Sequence, residues 1–209
     1  MKERPILFSA PMVRAILAGT KTQTRRVVNL PADAKHVCYW APPSGRSESG
    51  YADPGVNYWT PDPAGETDSN HLNPCPYGQP GDRLWVRETW RITGDSPEDM
   101  LDMFDRDDVQ YRADDDQSYI DKYRPSIHMP RWASRILLEV IAVRVERLQD
   151  ISEADAVAEG VDFAGHTDEI MHDYSPDERF SMLWESINGA GSWNENPWVW
   201  VVEFRRVEA

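Results

Sequence analysis

The segment Gly19-Thr20-Lys21-Thr22-Gln23-Thr24-Arg25-Arg26 gathers the residue types of an acyl-transfer site. Thr24 carries a hydroxyl three residues beyond Lys21 and meets it if the chain turns there. A threonine hydroxyl is a weak nucleophile until a base removes its proton. Lysine serves as that base only when its pKa falls, through burial or nearby positive charge. Arg25 and Arg26 are close enough in sequence to supply such charge. The segment therefore holds a candidate nucleophile, a candidate base and a tuning element. A solvated turn with basic side chains would have the same sequence.

Glu159 is the second residue of interest. Ser152-Glu153-Ala154-Asp155 matches a capping-box pattern and Gly160 terminates the short helix that follows. Glu159 then falls in the last helical turn, where a carboxylate opposes the helix dipole at a cost of roughly 0.3–1 kcal/mol. A carboxylate at that end tends towards a raised pKa, which suits proton shuttling. An exposed glutamate tolerating the penalty is the plainer alternative. His128, Arg131 and Trp132 form a third group, able to contact an unstacked base by stacking and hydrogen bonding. Arg87 joins them as a candidate substrate contact. Against this, Trp132 could pack a core while its neighbours cap a strand.

Metal chemistry has one candidate. His36, Cys38, His71 and Cys75 are zinc-competent ligands, but their spacing is loose and two prolines flank Cys75. No zinc site and no cofactor is expected. The run of acidic residues Asp105, Asp107, Asp108, Asp114, Asp115 and Asp116 reads as a solvated surface, since its spacing fits no calcium loop.

These residues need elements to hold them. Ile6-Leu7-Phe8 reads as a first strand. Ser9 then caps a helix with Pro11 in its first turn and Met12, Ala15 and Ile16 at helical spacing, closed by Gly19. Residues 21–28 are extended by composition. A loop-like insertion at about 31–80 is rich in Pro, Gly, Ser, Asp and Asn, ordered in part by its Trp and Tyr. The turn Pro80-Gly81-Asp82 leads into a strand over 83–90, and a second, acidic insertion covers 94–124. Residues 135–148 make a long, mostly buried strand. Ser175, Pro176, Glu178 and Gly189 delimit a helix whose Phe180, Leu183, Trp184 and Ile187 form one apolar stripe. A Trp- and Val-rich strand, 198–207, closes the chain. Several strands with few helices predict an α+β fold on a curled sheet, in one domain spanning 1–209.

Composition narrows the partners. The net charge of −14 argues against a protein that coats long RNA or DNA, which needs a broad basic face. It leaves room for a small nucleoside in a compact basic pocket, because Lys and Arg cluster at 25–26, 83–87, 131–135 and 205–206. Nine Trp favour aromatic packing and an aromatic-lined site. No apolar run approaches the roughly 20 residues needed to span a bilayer, so no membrane partner is expected. With no apolar leader after Met1 and no disulfide framework, a cytoplasmic location is the expectation.

Gly19, Lys21 and Arg25 or Arg26 after a short helix resemble the Gly-x-Lys-x-x-x-Arg signature of ASCH domains. The likeness extends through Gly81-Asp82-Arg83-Leu84-Trp85-Val86-Arg87-Glu88, His128-Met129-Pro130-Arg131-Trp132-Ala133-Ser134-Arg135 and Asn196-Pro197-Trp198-Val199-Trp200, which are similar to phage- and prophage-encoded ASCH-like proteins. It implies a PUA-like small curled β-barrel with short flanking helices, here carrying two long insertions. Lys21, Thr24 and Glu159 are also similar to the Lys, Thr and Glu set of small bacterial ASCH enzymes that hydrolyse N4-acetylcytidine. Those enzymes are about half this length and lack the insertions. The resemblance implies that Lys21, held neutral, accepts a proton from Thr24 or a water, that the nucleophile attacks an amide carbonyl, and that Glu159 relays the proton to the leaving amine. Arg25 or Arg26 would stabilise the oxyanion. The alternative within the same family is a non-catalytic module that binds a modified base or a short single-stranded RNA.

Overall fold

A computed structural model describes residues 1–29, 36–40, 56–60, 71–92, 106–114, 122–161 and 173–207, with residues 36–40, 56–60, 71–73 and 106 described by their backbone alone. Strand β1 (Glu3–Leu7) leads through Ser9 into helix α1 (Ala10–Leu17). The helix starts where expected, with Pro11 in the first turn, and buries Val13, Ala15 and Ile16. Gly19 adopts a φ of +79°, the left-handed conformation that ends a helix without a Cβ penalty. The chain then enters β2 (Gln23–Val27).

The first insertion is not one long loop. It contains β3 (His36–Trp40), β4 (Val56–Thr60) and β5 (His71–Pro74), which pair in order as an antiparallel sheet. Strands β3 and β4 are short patches of β-branched or aromatic residues such as Val37, Tyr39, Val56 and Tyr58, which favour a pleated surface; β5 is not such a patch. Averaging composition over fifty positions hides patches of four or five. Strand β6 (Arg83–Arg87) stops short of the expected end, and β7 (Trp90–Ile92) pairs with β8 (Val109–Tyr111) from the second insertion. The long strand is β9 (Leu137–Arg147), followed by α2 (Glu153–Ala158), α3 (Pro176–Asn188) and β10 (Trp198–Val207).

The main sheet has five strands in the order β1-β6-β9-β10-β2. β1 and β6 run parallel and the remaining ladders are antiparallel. The fold is thus mixed α+β, with few helices. Strands β1 and β2, neighbours in sequence, are the sheet's two opposite edges. The Arg26 side chain spans the gap between them: its Nη2 donates to the Leu7 carbonyl at 2.8 Å and its guanidinium stands 5.3 Å from the centre of the Phe8 ring. One arginine side chain therefore links residues of the two edge strands.

Two of the three buried apolar clusters among the described residues follow from this arrangement. One face of the sheet buries Ile6, Phe8, Leu84, Val86, Leu138, Val140, Trp200 and Val202 with Val13 and Ile16 of α1. The other face packs Val199 and Val201 of β10 against Ala156 of α2 and against Phe180 and Trp184 of α3. Alternation along β10 sends its residues to the two cores in turn. The capping boxes also hold in modified form. The Ser152 hydroxyl accepts from the Asp155 N–H at 3.1 Å, and the Ser175 N–H donates to Glu178 Oε2 at 2.8 Å. The expected apolar stripe of α3 is buried only in its first half, since Ile187 is 55% exposed.

Candidate active site

Strand β2 decides what can meet at the site. Its alternation puts Gln23, Arg25 and Val27 on one face and Thr24 and Arg26 on the other. Arg25 lies opposite Val201 and reaches the α2–α3 side. Thr24 lies opposite Val202 on the core side. Lys21 sits just before the strand, in the turn that leaves α1, where its backbone N–H is held by the Ala15 carbonyl at 3.1 Å.

Glu159 arrives from the far end of the chain. It caps the C-terminus of α2, and Gly160 follows with φ of +79°. A Cβ built on Gly160 would lie 3.0 Å from both Ala15 Cβ and Lys21 Cβ, so the close seating of this turn on α1 requires glycine. The Thr22 N–H donates to the Ala158 carbonyl at 2.9 Å, tying the same turn to β2.

This seating brings Lys21, Arg25 and Glu159 together. Lys21 Nζ donates to Glu159 Oε2 and to the Glu159 carbonyl, both at 2.8 Å. Arg25 Nη1 donates to Glu159 Oε1 at 3.2 Å. Each carboxylate oxygen thus faces one cation. All three residues are buried. Glu159 is therefore not the exposed helix-end carboxylate of the plainer reading. Burial lowers the Lys21 pKa, because the charged amine loses water; the Glu159 carboxylate pulls it back up, and Arg26 and Arg25 push it down further. Lys21 is the kind of amine whose proton is labile.

A framework of polar groups surrounds the trio. Arg25 Nε donates to Glu146 Oε1 at 3.1 Å, Nη2 also donates to Glu146, and Nη2 pairs with Asp155 Oδ2 at 3.4 Å. Arg144 holds the same two carboxylates from behind, with Nε to Glu146 Oε2 and Nη2 to Asp155 Oδ1, each at 3.0 Å. Gln23 Nε2 donates to the Asp155 carbonyl at 2.8 Å. Burial alone would raise the Asp155 pKa, but hydrogen bonds from Gln23 and Ser152 and the charges of Arg144 and Arg25 lower it overall. Glu146, Arg144 and Asp155 escaped the reading of the sequence. The available signal was Arg144 and Glu146, two of the four charged residues that interrupt the apolar run of β9.

Glu159, Arg25 and Arg26 line a small cleft of about 60 Å³, walled opposite by Phe180, Leu183 and Trp184. Met12, Val27, Ile187 and Asn188 form its rim. Lys21 and Thr24 stand behind this lining. Thr24 is buried and its hydroxyl has no hydrogen-bond partner among the described residues, so the expected contact with Lys21 is not made in this arrangement. Arg26 Nη1 donates to the Arg25 carbonyl at 3.2 Å in addition to the Leu7 bridge.

The remaining candidates gather elsewhere, around Trp85. Arg87 donates to the Met129 carbonyl at 3.1 Å and to the Ile127 carbonyl. Arg131 pairs with Glu3 at 3.0 Å, and both Arg87 and Arg131 lie over the Trp85 ring, at 5.3 and 6.0 Å. Trp132 packs edge-on against buried Trp90 at 6.1 Å, and His128 is exposed. These residues fasten the 126–133 segment to the sheet. None of them lines the cleft beside Glu159.

Of the zinc candidates, Cys75 is a buried free thiol that burial pushes up to about 11, and the side chains of His36, Cys38 and His71 lie outside the described residues. Among the described residues no cluster of three metal-competent side chains occurs. Asp107 and Asp114 of the acidic insertion are exposed, Asp108 is half-buried, and Asp105, Asp115 and Asp116 lie outside the described residues. Among those residues no helix is long and apolar enough to cross a membrane. No family model, no curated protein and no solved structure matches the chain.

Proposed function

We propose that the protein is an amidohydrolase acting on an acylated nucleobase or nucleoside such as N4-acetylcytidine, on a PUA-like fold of the ASCH type. The observation that carries this reading is the buried Lys21–Glu159 pair opening through Glu159 onto a cleft. Its two members come from the two segments that the ASCH resemblance singles out, 138 residues apart. The Arg26 bridge between the sheet's two edge strands supports the barrel part of the reading.

The chemistry is amide hydrolysis. Glu159, the carboxylate at the cleft, removes a proton from a water as its oxygen attacks the acyl carbonyl carbon. The tetrahedral intermediate then expels the exocyclic amine, which takes up the proton relayed by Glu159 and Lys21, and the acyl group leaves as a carboxylate. Lys21, whose pKa burial lowers, accepts and returns the proton behind Glu159. Thr24 becomes the nucleophile instead if substrate binding draws its unpartnered hydroxyl out towards Lys21. The cleft is smaller than the roughly 300 Å³ at which ligand pockets begin. The base therefore sits at the rim, against Ile187 and Asn188, with its acylated edge inward.

The test is hydrolysis of N4-acetylcytidine by the purified protein, followed by loss of the acyl-base absorbance. Turnover by the wild type that vanishes in Lys21→Met supports the reading. No turnover by a folded wild type rejects this substrate.

A second reading, a non-catalytic module for RNA or a modified base, is favoured by one observation: two guanidiniums stack on Trp85 on a face of an otherwise acidic protein. Binding of this kind weakens steeply with salt. Salt-independent affinity for a short RNA, or none, would reject it.

A further inference from the structure

We propose that Arg25 is a positioning residue: its buried guanidinium, anchored by Glu146 and Asp155, holds the Glu159 carboxylate against Lys21 at the edge of the cleft. The inference rests on the reading above for the role of Glu159. It assigns Arg25 a task different from oxyanion stabilisation.

The geometry carries it. The Arg25 side chain is 0% exposed, and Nε, Nη1 and Nη2 each face a carboxylate. A guanidinium is a rigid planar fork with five donors, so three carboxylates arranged around it define one orientation. Those carboxylates come from three places: Glu146 from β9, Asp155 from inside α2, and Glu159 from the cap of α2. Glu146 and Asp155 are themselves fixed by Arg144, and Asp155 by Gln23 and the Ser152 hydroxyl. The Phe180 ring lies 5.8 Å from the guanidinium and closes off the α3 side. Arg25 thus has its donors committed to carboxylates, and Glu159 is the one of those three carboxylates that lines the cleft. A carboxylate left to rotate by about 1 Å loses on the order of 10²-fold in rate.

Lysine at this position keeps the charge and loses the fork. Methionine loses both. The charged groups facing Lys21 are Glu159 from the end of α2 and Arg25 and Arg26 from β2. Removing the Arg25 charge therefore moves the Lys21 titration upward, and Arg25→Lys moves it far less. The experiment pairs steady-state kinetics on N4-acetylcytidine with an NMR titration of the Lys21 side chain, in wild type, Arg25→Lys, Arg25→Met and Glu146→Gln. A positioning role gives an Arg25→Lys kcat lowered about 10²-fold with KM nearly unchanged, a smaller kcat loss in Glu146→Gln, and a raised Lys21 midpoint in Arg25→Met. A raised KM at unchanged kcat would make Arg25 a substrate contact and overturn the proposal, as would full activity in Arg25→Lys. If the wild type does not hydrolyse the substrate, the amidohydrolase reading fails by itself. The Lys21 titration then decides the role of Arg25: an equal midpoint in wild type and Arg25→Met overturns it. If Arg25→Met does not fold, Arg25→Lys and Glu146→Gln carry the same comparison.

Discussion

Two buried charge clusters among the described residues are built in two different ways. In the first, Lys21, Arg25 and Glu159 share one carboxylate between two cations beside a cleft. In the second, Arg135 grips Glu88 with both arms, at 2.9 and 3.0 Å, while its remaining arm takes Asp114 at 2.6 Å and its plane lies 3.9 Å from the centre of the Tyr111 ring. Glu88 is as buried as Glu159, and burial raises its pKa against the pull of Arg135. Yet neither Glu88 nor Arg135 lines the cleft described above. A bidentate pair, matched one to one and stacked on a ring, stabilises the join between β6 and the second insertion. A carboxylate shared by a fork and a buried amine is left with a proton to exchange. Burial and ion pairing are common to both, so exposure to a cleft and the presence of a lysine are what separate them.

The comparison breaks most visibly in activity. Glu159→Gln, which keeps the size but replaces one accepting oxygen with an NH2 donor, should lower kcat on N4-acetylcytidine by about 10²–10⁴-fold, the range for a lost general acid or base. Glu88→Gln should leave kcat unchanged. Equal losses in both variants, measured by steady-state kinetics, would mean that the two clusters do the same job.

Stability tests the structural cluster. Glu88→Gln leaves the Arg135 charge without its main partner and should cost about 3 kcal/mol. For a chain of this size that lowers the melting temperature by roughly 2–4 °C per kcal/mol. Thermal unfolding followed by circular dichroism checks it, and an unchanged midpoint would remove the structural role given to this pair.

The pH dependence is subtler. Lys21 titrates lower when folded than its ordinary 10.5. Between those two pKa values the unfolded chain binds the extra proton, so stability rises with pH across that window and is flat on either side. Lys21→Met should abolish this rise. Denaturant melts from neutral pH to pH 10 test it, and an identical slope in the variant would show that Lys21 is not depressed. The smallest effect belongs to Asp114→Asn. Its carboxylate is about half exposed, so losing it should change stability by less than about 1 kcal/mol and turnover not at all.

The legibility of the sequence follows the same division. Helix α3 and strands β9 and β10 were readable because caps and apolar runs are local signals, written within a dozen residues. Lys21 and Glu159 were readable as odd residues, a lysine in a threonine-rich turn and a carboxylate at the wrong helix end. That they touch was not, since contact across the sheet depends on strand order. Glu146 and Asp155 were hidden for another reason. Asp155 had a sufficient local explanation as a capping residue, and Glu146 sat in a strand whose apolar neighbours dominated the pattern. In the first insertion, Pro and Gly around two short aromatic patches masked β3 and β4, and β5 has no strand-favouring composition of its own. The grouping of Arg87, Arg131 and Trp132 was visible, but their partners, two backbone carbonyls, Glu3 and Trp90, were not.

The bond between Lys21 and Glu159 also closes a loop of 138 residues that contains both insertions. Closure entropy grows only with the logarithm of loop length, by about 0.6 kcal/mol per doubling. Removing both insertions would shorten the loop by more than half and change its closure by less than about 1 kcal/mol. The chain can therefore lengthen or shed these excursions with little thermodynamic penalty at the seam where Lys21 meets Glu159. The cost falls on kinetics, because contacts distant in sequence slow folding.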